Sequence, residues 1–226
     1  MPLLGQAAML LSFDIAPEAI AEHDDWHTHE HLPERLSIPG FIRGTRWIAV
    51  HSQPRYLVLY EVAQLATLAS EAYLERLNNP SPWTSKMMLS YRGMSRGFCS
   101  VTGSFGIGLG HRCVLIRFKP DTGAESPLRE WLLKDILPDL PSRSGIGSVH
   151  LLEGALTPAM TNEQRIRGAD AGLDWALLLL GYSQDALATL VQNEIGAAQL
   201  ERRGATEVLD VMYRMDYTLA DREVGT

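Results

Sequence analysis

Residues 26–41 read Trp26-His27-Thr28-His29-Glu30-His31-Leu32-Pro33-Glu34-Arg35-Leu36-Ser37-Ile38-Pro39-Gly40-Phe41. An ungapped shift of 105 positions, which lays Trp131 on Trp26, brings up an echo of this stretch. Leu137, Pro138, Asp139, Ser142, Gly145 and Ile146 answer Leu32, Pro33, Glu34, Ser37, Gly40 and Phe41. Such self-similarity marks a chain built from two like units, and it decides how every other segment is read.

Working outward, residues 8–15 form an apolar run of strand length, and Pro17 suits the first turn of a helix. That helix is expected over residues 17–31, with a pause at Pro33, where a backbone donor is missing, and an end before Pro39-Gly40. Residues 41–50 and 56–62 are rich in aromatic and β-branched side chains around Ser52-Gln53-Pro54, which reads as a hairpin. A helix over 65–77, a connection over 81–91 and a strand over 97–102 complete the first half. The second half repeats the order, with strands over 112–118, 147–153, 175–182 and 208–217 and helices over 127–140 and 185–203. This is an α+β fold of two tandem ferredoxin-like βαββαβ units, 1–105 and 106–226. Each unit leaves one apolar sheet face uncovered, and packing sheet against sheet buries both. The first unit carries the histidine-rich helix, and the second is expected to be a scaffold. The glycine-rich stretch 103–110 reads as a hinge, because it lacks both the lysine ending of a phosphate loop and a helix after it. Residues 157–172 read as a surface loop of the kind that sometimes covers a pocket.

The chain has 226 residues, 46% of them hydrophobic and 21% charged, which is ordinary globular composition. A formal charge of -7 without a basic cluster argues against nucleic acid as a partner. Two cysteines, Cys99 and Cys113, imply no disulfide framework and favour a reducing cytoplasm. The N-terminal run lacks the basic region of a signal peptide, and no apolar stretch reaches the about 20 residues of a membrane span.

Ile20, His23, His27 and His31 share one helical stripe. Their counterparts Leu128, Leu132 and Ile136 answer His23, His27 and His31, so the stripe is the face packed on the sheet. The first unit therefore turns three imidazoles inward where the second is apolar, which implies a polar pocket between helix and sheet. A metal site is one reading, since His27-Thr28-His29-Glu30-His31 matches H-x-x-E-H. However, His23 and His31 stand about 12 Å apart along the axis at 1.5 Å per residue, which speaks against one ion on all three. A second reading is proton transfer to or from a small organic molecule by His27 and His31, with Glu30 in support. His23, Trp26, Arg46, Trp47 and Tyr60 are expected to contact the ligand. A third is structural, and it suits His51, His111 and His150 best. Trp83, Met87 and Met88 are candidates for an apolar pocket mouth or for core filling.

Trp26, Glu30-His31-Leu32-Pro33 and Pro39-Gly40-Phe41, leading from helix to strand, resemble the EthD-type branch of the dimeric α/β-barrel superfamily. The likeness is good over the first half. In the second it persists as Trp131, Leu137-Pro138 and Gly145, without the histidines. The resemblance implies an eight-stranded barrel made from two ferredoxin-like units, here within one chain. It also implies a range of activities: cofactor-independent monooxygenases, muconolactone-type isomerases and haem-handling enzymes, often in the breakdown of aromatic compounds. The expectation is an enzyme acting on a small apolar or aromatic molecule, without metal or cofactor. The alternatives are a non-catalytic binding protein, or a metal or haem site at His27 and His31. A homodimer of the whole chain is a further expectation.

Overall fold

The computed structural model describes residues 3–156 and 160–224. Eight strands, β1 (Ala7–Ile15), β2 (Phe41–Ala49), β3 (Tyr56–Val62), β4 (Tyr91–Gly106), β5 (Arg112–Pro120), β6 (Ile146–Leu156), β7 (Trp175–Gly181) and β8 (Ala205–Ala220), form one closed antiparallel barrel. The order around it is β1-β3-β2-β8-β5-β7-β6-β4, with β4 returning to β1. Each half contributes a ferredoxin-like sheet, β4-β1-β3-β2 and β8-β5-β7-β6. The fourth strand of each is 16 residues long and runs past its own sheet to pair with the other half. Two seams, β2 with β8 and β4 with β6, thus leave no free sheet edge.

This pairing changes the reading of the glycine-rich stretch. Gly103 to Gly106 belong to β4 and pair with Leu151 to Ser148, so only residues 107–111 connect the halves. Glycine is required at Gly106, where φ is +91° and a Cβ would stand 2.2 Å from Gly147 O. The connection expected over 81–91 likewise contains a helix, α4 (Pro82–Met88), capped by the Ser81 hydroxyl on the Thr84 amide. Serine followed by proline is an N-cap signature that the neighbouring Asn-Pro turn obscured.

The first helical path does not pause at Pro33. A short turn at Pro17–Ala19 leads into α1 (Ile20–Trp26), a π-helical turn (His27–His31) and α2 (Leu32–Leu36). The Leu32 amide donates to His27 O, five residues back, and Pro33 follows. The wider turn keeps the proline ring from the carbonyl it would strike in a regular α-helix. The second half repeats the device 105 positions on: α5 (Glu125–Trp131) passes into a π turn at Leu132–Ile136, Leu137 N–H donates to Leu132 O, and Pro138 comes next. Gly40 and Gly145 also correspond, at φ +93° and +90°. The remaining helices are α3 (Glu71–Asn78), α6 (Asn162–Arg167), α7 (Gln184–Leu190) and α8 (Ala197–Glu201), the last two joined through a π turn and Gly196.

Three cores result. The barrel interior is filled by side chains from both halves, among them Leu10, Trp47, Leu57, Cys99, Leu115 and Leu178. A second core lies between the second sheet and its helices, and Leu128 and Leu132 are fully buried in it. The third lies between the first sheet and α1–α4, and it holds the histidines. No helix among the described residues is long and apolar enough to cross a membrane.

Candidate functional site

Strand alternation sends Met9, Phe13, Val58 and Tyr60 toward the helices and their neighbours in sequence into the barrel. Against that surface the helical path sets His23, His27 and His31, which are 0%, 2% and 8% exposed. Consecutive rings lie 5.5 and 5.6 Å apart, centroid to centroid. His31 packs on Trp26 at 4.4 Å, and His23 on Tyr56 at 4.6 Å. Tyr60 Oη stands 3.5 Å from His27 Nε2, at the limit of a hydrogen bond.

A small cavity of about 30 Å³ lies beside His27 and His31. That is room for one or two waters. Its apolar wall includes Phe13, Tyr60, Tyr73, Met88, Tyr91 and Met94, and its charged wall comprises Arg35, Arg96, Glu163 and Arg167. Nδ1 of His27 and Nδ1 of His31 are buried with no hydrogen-bond partner. Burial holds both imidazoles well below their usual pKa, helped for His27 by His23 and Arg46 and for His31 by Arg35 and His27. Both rings are therefore neutral at pH 7, each with one nitrogen able to accept a proton. Burial also raises the Tyr60 and Tyr91 phenols, which stay protonated donors.

The other residues expected at the site stand elsewhere. His23 is fully buried behind the cavity, its Nδ1 3.2 Å from Asp24 Oδ1. Glu30 touches no imidazole: it accepts from Trp26 Nε1 (3.2 Å) and from the Ser81 and Thr84 hydroxyls, joining the π turn to α4. That removes the acidic member of the H-x-x-E-H reading. Trp26 backs His31 without reaching the cavity. Arg46 turns to Asp216 on β8 (2.7 Å) and to Thr28 (3.2 Å), outside the cavity. Trp47 lies on the opposite sheet face, inside the barrel, because it is the odd neighbour of Arg46 in a period of two.

The four charged cavity residues escaped the sequence reading. Arg35 had a signal, since the same 105-residue shift sets it against Leu140, another polar-for-apolar exchange. Arg96 had none that alternation would reveal. Glu163 and Arg167 come from α6, so a helix of the second unit contributes to the wall of the first unit's cavity. This helix, within the loop expected over 157–172, packs on α3 and α4 and roofs the first unit's cavity; residues 157–159 lie outside the described residues. Thr161 caps it in a reciprocal box with Gln164. The roof is held by Arg35–Glu163, by Arg167 and Arg96 on Asp170, and by Asn162 on Asn78.

No cluster of three His, Cys, Asp or Glu able to hold a metal ion occurs among the described residues. At about 30 Å³ the cavity as it stands holds neither a haem nor any other organic group, whose pockets belong to the range of about 300–1,000 Å³. The residues present do not fit a metal ion.

No family model and no curated protein matches the sequence. Solved structures do. An anthrone oxidase-like protein superposes over 98% of this chain and 96% of its own with a TM-score of 0.68 at 12% identity. A candidate monooxygenase of Fusobacterium nucleatum subsp. nucleatum covers 96% of this chain and 95% of its own, with a TM-score of 0.62 at 9% identity. The chain has the dimeric α/β-barrel fold. A chlorite dismutase of Candidatus Nitrospira defluvii, in complex with imidazole, shares this barrel over 93% of the chain and 91% of its own, with a TM-score of 0.57 at 11% identity. At such identities the likeness concerns the barrel alone.

Proposed function

We propose that this barrel is an enzyme that removes a proton from a small aromatic molecule held between the first sheet and its helices. The observation that supports it is the pair of neutral, buried imidazoles whose Nδ1 atoms face no protein partner beside an aromatic- and methionine-lined cavity. A buried polar atom left unpaired is destabilising, and a bound ligand relieves it. His31 or His27 accepts a proton from an acidic C–H or O–H, and the ligand anion left behind lies beside the Arg35 guanidinium. The other wall excludes water and presents ring faces suited to an aromatic ligand. The EthD-like resemblance and the anthrone oxidase-like neighbour agree with this chemistry. The present cavity is the closed form, and a displaced α6 gives the ligand its room.

One observation favours a second reading, a non-catalytic binder: the burial that keeps the imidazoles neutral also makes them weak bases. Deuterium exchange into the methylene of anthrone, in D2O under argon, separates the two. The enzyme reading expects exchange faster than buffer, with His31→Gln or His27→Gln slowing it by about 10²-fold or more. Undiminished exchange in the double variant would remove both histidines from the chemistry. Binding of anthrone by the wild type with no faster exchange would support the binder.

A further inference from the structure

Arg35 is 1% exposed, and carboxylates take both arms of its guanidinium: Nη1 donates to Glu34 (3.2 Å) and Nη2 to Glu163. Glu34 neighbours it on α2 and stays behind the cavity wall. Glu163 lines the cavity and belongs to α6, the roof. Any movement of the roof that admits a ligand withdraws Glu163 and leaves a buried guanidinium short of its main counter-ion. Removing one partner of a buried ion pair is strongly destabilising, because the remaining charge is left without solvent or partner. A neutral ligand does nothing to offset that loss. A ligand carboxylate does, since it matches the guanidinium fork as Glu163 does now.

The rest of the wall has the same bias. Arg96, 5% exposed, has Nη2 with no hydrogen-bond partner, and its Nε stands 3.0 Å from Asp170 without the alignment of a hydrogen bond. The Asp170 oxygens are already taken by Arg167 and Gln164. Facing the cavity itself are three guanidiniums and one carboxylate, while Asp170 and Glu34 sit behind. We infer that the cavity takes a small aromatic carboxylic acid as its anion, whose carboxylate replaces Glu163 on Arg35. Glu163 is thus an internal stand-in for the ligand. The inference rests on the proposed function for the choice of cavity and for the displacement of α6 that opens it.

Calorimetric titration with benzoate and with benzamide, a neutral near-isostere, tests it. The wild type is expected to bind benzoate at least tenfold more tightly than benzamide. In Glu163→Gln, a weaker competitor for Arg35, benzoate is expected to bind about tenfold more tightly again and to raise the melting temperature more than it does in the wild type. Equal binding of the two probes, or binding of neither, would overturn the inference without any variant having to fold. Failure of benzoate while anthrone still perturbs the His27 and His31 imidazole signals would sink the acid preference and leave the proton-transfer reading intact. Benzoate bound as expected, with no histidine-dependent exchange of anthrone, would do the reverse.

Discussion

At the residue scale, Glu30 makes its hydrogen bonds away from the three histidines beside it. It collects the Trp26 indole and the Ser81 and Thr84 hydroxyls, and so fixes the ring on which His31 rests. Replacing Glu30 with Ala leaves those donors short of a charged acceptor, an effect of about 2 kcal/mol on stability, read from urea unfolding. Ligand contacts at His27 and His31 should survive that change, because Glu30 meets neither ring; loss of the contacts with stability intact would assign it to the site after all. Arg35 is the opposite case. Its neighbours Glu34 and Leu36 make it look like one more charged helix residue, and only its pairing with Leu140 marks it as inward. Trp47 and Arg46 were legible as strand residues but not as to face, since the bulge between Phe41 and Arg43 shifts the register that alternation alone would use.

At the element scale, the two π turns separate the backbone frame from the side chains it carries. One occurs at His27–His31 and the other at Leu132–Ile136, each just before a Leu-Pro pair, so the wide turn is a property of the repeated unit and carries no activity by itself. What differs between the copies is polarity along a path that matches as far as the Leu-Pro pair, beyond which only the first continues into an α-helix, α2. The sequence made this visible because internal comparison supplies a control at every position of the stripe. It hid α6, whose capping box is local but whose partners, Arg35 and Asn78, lie 128 and 84 residues away. The exchange His23→Leu, His27→Leu, His31→Ile turns the first stripe into the second. Folded, these histidines resist protonation, whereas unfolded they take protons near pH 6.5. The unfolded state then binds more protons, so wild-type stability is full above about pH 6.5 and falls as pH drops below it, by up to about 1.4 kcal/mol per pH unit for each group. The triple variant should therefore show a flatter decline in melting temperature between pH 6.5 and 5, together with loss of ligand binding. A decline as steep as that of the wild type would show that the histidines are not buried neutral.

At the scale of the whole molecule, closure of the barrel across two seams places a helix from one half over the cavity of the other. The βαββαβ order and the repeat were readable from periodicity and the echo, and the barrel only from the family resemblance; the 16-residue reach of β4 and β8 was not, because pairing across halves has no local signature. The barrel also has other openings: a groove of about 730 Å³ between Lys119 and Trp175, and a slot of about 180 Å³ beside Arg117 and Tyr213. Both are far larger than the histidine cavity in its closed form. We propose the smaller space for the chemistry because, among the described residues, it alone sets unpartnered imidazole nitrogens, ring faces and a replaceable carboxylate together. The most direct measurement is a two-dimensional NMR map of the imidazole nitrogens and backbone amides during titration with small aromatic probes. Binders are expected to move the His27 and His31 imidazole signals and the α6 amides together, and to leave the amides near Lys119 and Arg117 still. Binders that shift either of those regions while His27, His31 and α6 stay unmoved would contradict the proposal.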